Sequence, residues 1–175
     1  MPVSDGYVEV VQGDITRQKV DAIVNAANNQ LCGGGGVDGA IHRVAGPELD
    51  EACREIGWCP TGEARVTPGF RLPAKWVIHT VGPVWQGGDR DEDALLASCY
   101  RSSMELASQH GMLSIAFPSI STGVYGFPVK RAARIAIDTL RDTAQRYPEI
   151  ETIRVVTFGE NTTRAYEDVV QEYLD

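Results

Sequence analysis

Short unbroken apolar runs alternate along this chain with longer stretches in which apolar residues return every three or four positions. The first pattern predicts strands buried on both faces, the second amphipathic helices. Residues 7–12 are β-branched and aromatic enough for a strand, which Gly13-Asp14 stops before Ile15 and Thr16 lead into a polar turn. Ala22-Ile23-Val24 is a continuous apolar run. Residues 37–45 read as a helix with Val37, Ala40, Ile41 and Val44 on its apolar stripe, ended by Gly46-Pro47, and residues 48–56 as a second short helix. A strand with one polar face, suited to a sheet edge, follows at 63–67, and a stronger one at 76–81. The next helix runs over 91–109, with Leu95, Cys99 and Leu106 on one stripe and Leu96, Tyr100, Ser103 and Ala107 beside it, and Gly111 is its stop. Residues 114–118 form another buried strand. A helix over 129–147 turns Ala133, Ala136, Ile137, Leu140 and Ala144 inward. A last strand at 152–158 precedes a closing helix with Tyr166, Val169, Val170 and Tyr173 on one side.

Alternation of this kind implies an α/β fold: a largely parallel sheet with helices on both faces. Ligands of such sheets lie beyond the C-terminal ends of the strands. Four loops leave strand ends there and can meet at one rim: Gly13-Asp14, the glycine-rich loop that begins at Asn25, the loop Ser121 to Gly126, and Phe158-Gly159-Glu160.

The glycine-rich segment is the densest candidate for chemistry. Gly33-Gly34-Gly35-Gly36 opens a helix, where backbone N–H groups lack intrahelical partners and no Cβ hinders a ligand. That makes an anion site. Asp38 stands two residues past the last of these glycines and His42 follows at i+4 on the same helical face. Phosphate binding by itself does not call for that acid. Two such loops suit two linked phosphates. Neither carries the Gly-Lys-Ser/Thr ending of a Walker loop, and Gly34-x-Gly36-x-x-Gly39 begins too far beyond its strand for a dinucleotide fingerprint.

Length and composition change this picture little: 175 residues at 43% hydrophobic suit one domain over 1–175 with a substantial core. Charge changes it more. At −8 the chain lacks the basic surface that general nucleic-acid binding needs, so no DNA partner is expected and any phosphate must be held by local N–H groups. Cys32, Cys53, Cys59 and Cys99 form no C-x-x-C pair or disulfide framework and read as reduced thiols. Cys32, at the lip of the glycine loop, has no base to make it a nucleophile. Three scattered histidines make no metal site, no cofactor is called for, and the lack of a leader or long apolar run points to a cytoplasmic protein without a membrane partner.

Taken together, several segments resemble a known family. Gly13-Asp14-Ile15-Thr16, the run 21–28, Gly33 to His42, Leu72-Pro73-Ala74-Lys75, His79-Thr80-Val81-Gly82-Pro83 and the run 117–126 look like a macrodomain, and Gly-Gly-Gly-Gly-Val-Asp-Gly-Ala-Ile-His resembles the MacroD-type ADP-ribose hydrolases. The resemblance covers nearly the whole chain. It implies a three-layer α/β/α fold with a mixed, mostly parallel sheet, and ADP-ribose in the cleft. By match of motif, Asp14 accepts from the adenine amino group with the Ile15 N–H beside it, and Phe158 packs against the ring. The backbone of Gly35, Gly36 and Val37 holds the diphosphate together with Ser121, Thr122, Gly123, Val124 and Tyr125, and Tyr125 lies against the distal ribose. Asn28 bonds that ribose's hydroxyls, and Asp38 orients or activates a water that attacks an ester on it.

Some roles stay open at this level. Asn25 either touches ligand or braces its loop. His42 is read as standing behind the contact residues, and His79 as core. Either Asp38 or a ligand phosphate takes the water's proton. The implied activity is hydrolysis of acyl esters of ADP-ribose, namely O-acetyl-ADP-ribose and mono-ADP-ribose on protein Asp or Glu. The partners are then ADP-ribose, its acyl esters and mono-ADP-ribosylated proteins. The competing readings are a non-catalytic ADP-ribose reader and an ADP-ribose-1″-phosphate phosphatase, and fold alone does not separate them. Asn28 and Asp38 together favour the hydrolase.

Overall fold

Seven strands form one sheet in the computed structural model, which describes residues 2–175. The strands are β1 (Val3–Ser4), β2 (Glu9–Gln12), β3 (Ala22–Ala26), β4 (Ala64–Pro68), β5 (Trp76–Thr80), β6 (Ser114–Phe117) and β7 (Thr152–Thr157), in the spatial order β1-β2-β7-β6-β3-β5-β4. The four inner pairings are parallel, while β1 with β2 and β4 with β5 run antiparallel at the two edges. Five helices cover the sheet: α1 (Gly36–Ala45), α2 (Pro47–Ile56), α3 (Glu92–Gln109), α4 (Val129–Arg146) and α5 (Glu160–Leu174). The fold is the three-layer α/β/α arrangement with a mixed, mostly parallel sheet. The polar face of β4 belongs to an edge strand, as its pattern predicts. The two-residue β1 had no legible signal, because a strand that short carries no periodicity.

Each face of the sheet has its own core. On one side Tyr100, Phe117, Phe127, Ile137, Leu140 and Tyr166 pack beneath α3, α4 and α5. The other holds Ile23, Ile41, Leu49, Cys53, Val77 and Val156 beneath α1 and α2. Ala22, Ile23, Val24 and Asn25 are all buried, since β3 is covered on both faces.

Two helices present a different face from the one their apolar residues suggest. In α3 the buried line runs through Leu96, Cys99, Tyr100, Ser103, Met104 and Ala107, leaving Leu95 and Leu106 half-buried at its margin. In α1 the inner face is Asp38, Gly39, Ile41 and Ala45, while Val44 is 41% exposed. Periodicity counts apolar residues, and the inner face of α1 is given over to a carboxylate instead. No helix among the described residues is long and apolar enough to cross a membrane.

The connections create a crevice. From β3 the chain builds β4 and β5 on one side, and α3 then carries it across to β6 on the other. The β3–β6 boundary is where the winding reverses, the place where open α/β sheets take ligands. The C-terminal ends of β2, β7, β6 and β3 stand side by side in that order, roughly 14 Å from first to last at about 4.8 Å per strand.

Leu96 is completely buried in the α3 stripe. Leu96→Ala is therefore expected to cost about 2–5 kcal/mol in urea denaturation, with Leu95→Ala costing clearly less. The reverse order would restore the stripe centred on Leu95.

Candidate functional site

The β3 strand ends at Ala26 and the chain then rises to α1 through the glycine run, whose residues serve different ends. Gly35 and Gly36 face open space, and Gly36 adopts φ +59, a left-handed conformation that suits glycine. Gly39 lies where a Cβ would meet the Gly34 carbonyl oxygen at 2.6 Å, so only glycine lets the loop lie down on the helix. No side chain caps α1. Its first N–H groups stay open to the rim at the positive end of the helix dipole.

Asp38 closes this end from inside. Only 5% exposed, it accepts at Oδ2 from the Gly34 N–H (2.7 Å) and at Oδ1 from Asn25 Nδ2 (2.8 Å) and His42 Nε2 (3.2 Å). Burial alone would raise its pKa and is the largest influence. The hydrogen bonds from His42 and Asn25, the His42 charge and the Gly34 N–H outweigh it and hold the carboxyl below its ordinary value. Asp38 is thus ionised.

Behind it runs a chain of polar groups reaching into the core. His42 Nδ1 lies 2.5 Å from Asp50 Oδ1 on α2, so both ring nitrogens donate to carboxylates and the ring is an imidazolium. Its pKa is raised, first by the hydrogen bond to Asp38, against an opposing contribution from burial. On the other side, Asn25 Nδ2 also donates to His79 Nδ1 (3.1 Å), leaving His79 Nε2–H for Thr67 Oγ1 (2.9 Å). His79 is fully buried, and burial followed by the His42 charge pushes it down to about 4, so it is neutral. Burial, then the charges of Asp38 and Asp50, pushes the neighbouring Cys53 thiol up to about 12 and leaves it protonated.

Asn25 has no accessible surface. Its assignment as a ligand contact gives way to its other reading, that of a brace, because both amide hydrogens are spent on Asp38 and His79. Asn28 sits differently, half-buried at the rim. Its Nδ2 donates to the Cys32 carbonyl (2.7 Å) and its Oδ1 accepts from the Cys32 N–H (3.2 Å) and the Cys32 thiol (3.7 Å), which fixes the amide in place with one amide hydrogen to spare. A Cβ on Gly34 would lie 3.3 Å from Asp38 Oδ2 and 3.7 Å from Asn28 Nδ2. The two side chains therefore converge on one point.

The second loop follows β6. Phe127 N–H donates to the Ser121 carbonyl and Gly126 N–H to Gly123, which closes the turn on itself. Among the described residues, the N–H groups of Ser121, Thr122, Gly123, Val124 and Tyr125 have no protein partner. Ser121 takes φ +66, unusual and costly for a residue with a Cβ, and its buried hydroxyl has no partner among the described residues. Gly82 makes room for it: a Cβ there would lie 2.2 Å from Ser121 Oγ. Val124 is fully exposed and Tyr125 half-buried. The Tyr125 carbonyl accepts from Trp85 N–H (2.8 Å), in a loop organised by buried Glu92, whose carboxylate takes the N–H groups of Gln86, Gly88 and Arg90.

At the β2–β7 corner, Asp14 Oδ1 caps the short 3-10 helix Ile15–Arg17 through Thr16 N–H (2.9 Å) and the Thr16 hydroxyl (2.7 Å). Those bonds, the hydroxyl's foremost, lower its pKa, and Oδ2 keeps its outward lone pairs, with the Arg17 guanidinium 3.8 Å away. The Ile15 side chain is buried, so what it can offer a ligand is backbone. Phe158 is 88% exposed, and Gln12 Nε2 donates to its carbonyl (3.2 Å).

Asp14 and Phe158, the 119–126 loop, and the Asn28–Asp38 pair thus lie in sequence along one rim. Asp50 and Glu92 escaped notice; His79 is core, as read, but its bond to Asn25 and the contact of Gly82 with Ser121 were not foreseen. Asp50 and His79 are ordinary helix and strand residues until α2 and β5 are brought against α1 and β3. Glu92 reads as a helix-start acid, and only the loop ahead of it shows its work.

A protein of this fold with this rim is a macrodomain. The chain matches the Macro domain family over residues 24–136 and belongs to it. It is 53% identical over 174 residues to a macro domain-containing protein of Methanosarcina mazei, covering 99% of this chain and 93% of that one. It is 53% identical over 172 residues to the O-acetyl-ADP-ribose deacetylase of Escherichia fergusonii, covering 96% and 97% respectively. Among solved structures it resembles a variant of the Oceanobacillus iheyensis macrodomain with ADPR, at TM-score 0.93 and 44% identity over 99% of this chain and 98% of that one.

The raised pKa of His42 carries a sign. A cation whose folded-state pKa lies above its ordinary 6.5 stabilises fully below that value and loses the contribution as pH rises through the folded one. The stability difference between wild type and His42→Gln is expected to shrink as pH climbs above 6.5. A difference that stays constant from about pH 5 to pH 9 in denaturant titrations would mean that His42 is not held as a cation.

Proposed function

We propose that this macrodomain hydrolyses acyl esters of ADP-ribose, both O-acetyl-ADP-ribose and mono-ADP-ribose linked to protein Asp or Glu. The observation that carries this reading is the convergence of an ionised, nearly buried Asp38 and the fixed amide of Asn28 on the space beside Gly34. A site built only to hold phosphate gains nothing from a carboxylate there, since like charges repel. The deacetylase name of the Escherichia fergusonii relative and the ADPR of the Oceanobacillus iheyensis structure support the same substrate class.

The ligand lies along the rim. Phe158 covers the adenine ring, and Asp14 Oδ2 accepts from its amino group beside the Ile15 N–H. The open N–H groups of Gly35, Gly36 and Val37 face one side of the diphosphate and those of Ser121 to Tyr125 the other. Tyr125 lines the distal ribose and Asn28 bonds its hydroxyls, which places the ester next to Asp38. Water adds to the acyl carbon, the ester C–O bond breaks, and the products are a carboxylic acid and ADP-ribose. Asp38 accepts a hydrogen bond from the water and aims it; its carboxylate or a ligand phosphate oxygen takes the water's proton, which ends on the departing ribose oxygen.

The deciding experiment compares wild type and Asp38→Ala for turnover of O-acetyl-ADP-ribose and of a mono-ADP-ribosylated protein, alongside calorimetric affinity for ADP-ribose. Turnover is expected to fall by about 10²-fold or more, with ADP-ribose affinity largely kept. Binding without turnover by either protein identifies a reader instead. At the other end of the rim, Asp14→Ala is expected to weaken ADP-ribose by about tenfold, the scale of one charge-assisted hydrogen bond, and to leave ribose 5-phosphate unaffected. Equal weakening of both ligands would remove Asp14 from the adenine subsite.

A further inference from the structure

A row of hydroxyl groups runs beneath the second loop and out of the site. The Tyr166 hydroxyl lies 2.7 Å from Ser119 Oγ, which lies 2.6 Å from Thr122 Oγ1, which is 3.2 Å from the Ser119 carbonyl oxygen. A carbonyl only accepts, and a Thr122 proton placed on it orients the rest of the row. Thr122 O–H donates to the Ser119 carbonyl, so Thr122 Oγ1 receives the Ser119 hydroxyl proton, and Ser119 Oγ receives that of Tyr166. Tyr166 heads the row. It sits on α5, completely buried, 44 residues beyond Thr122 in the chain. Burial raises its phenol pKa, with the Ser119 hydroxyl opposing, so the phenol stays protonated.

The effect falls on Thr122. Its hydroxyl is turned under the loop and occupied, which leaves its backbone N–H, with those of its neighbours, as what the loop presents at the rim. The loop is also closed by the Phe127 and Gly126 N–H groups and tied at the Tyr125 carbonyl by the Trp85 N–H, and it contains the left-handed Ser121. A turn carrying such a residue persists where its surroundings over-determine it.

We infer that Tyr166 is a positioning residue for the diphosphate subsite, acting through Ser119 on Thr122 to hold the loop's N–H groups aimed at phosphate. This rests on the reading that the loop binds the ligand's diphosphate. It adds a contribution from a helix that does not reach the rim at this point. A phenol that merely filled the core would affect every ligand alike. A phenol that aims N–H groups affects only ligands with phosphate to receive them.

The test compares wild type, Tyr166→Phe, Ser119→Ala and the double variant for affinity to ADP and to adenosine by NMR titration. Tyr166→Phe keeps the ring and removes only the donor. ADP binding is expected to weaken about 3–10-fold, the scale of one hydrogen bond, with adenosine binding within about twofold of wild type. Since both residues act through one row, the double variant should lose little more than the more affected single variant. In steady-state assays KM rises while kcat holds. Equal losses for ADP and adenosine, unchanged ADP affinity, or additive losses in the double variant would each overturn the inference and leave the diphosphate reading intact. Failure of the wild type to bind ADP more tightly than adenosine would overturn that reading, and this inference with it.

Discussion

An ionised carboxylate at 5% exposure is a demanding thing to build, and the rim is arranged around keeping Asp38 in that state. Desolvation works against the charge, and what offsets it comes from four places in the chain: the Gly34 N–H, the Asn25 amide, the His42 ring and, through that ring, Asp50. Charges alternate along the line, from Asp50 through His42 to Asp38, and the line then continues through neutral groups to His79 and Thr67. Taking one partner from such a buried set commonly costs about 3–5 kcal/mol, because the others are left uncompensated. The arrangement has its own cost. Both acceptors around Asn25 demand its NH2 group, so its Oδ1 is left buried without a partner among the described residues.

Sheet topology decides what that carboxylate can act upon. Because the winding reverses between β3 and β6, the two loops with free N–H groups leave adjacent strands, and the β7 and β2 ends extend the rim beyond them. A ligand with an aromatic base at one end, two phosphates in the middle and a sugar at the other matches the order of Phe158 and Asp14, the two loops, and Asn28 with Asp38. This also explains how a chain of net charge −8 can offer the proposed diphosphate site. The attraction comes from oriented backbone N–H groups over a few ångströms, and the overall charge acts on a longer and better screened scale.

Much of this was legible in the chain. The alternation of runs and periodic stretches required a mostly parallel sheet with helices on both faces, the glycine runs marked where backbone would be exposed, and Asp38 stood out as an acid where phosphate binding does not want one. The motifs around these residues carried the macrodomain resemblance. Such features are local: strand and helix periods, turn chemistry and the opening of a helix depend on neighbours a few positions away.

What only the tertiary structure decided is which distant residues meet. The inner face of α1 goes to Asp38 and excludes Val44, because α1 packs over β3 where Asn25 waits with two donors. Asn25 serves Asp38 from within the sheet, His79 is paired to it across the β3–β5 register, and Asp50 reaches His42 from a separate helix. The shape of the second loop depends on a glycine from the end of β5 and a tyrosine from the last helix. None of these pairings has a spacing that could announce it. They arise from the order in which strands are laid into the sheet, and that order follows from burying two cores at once.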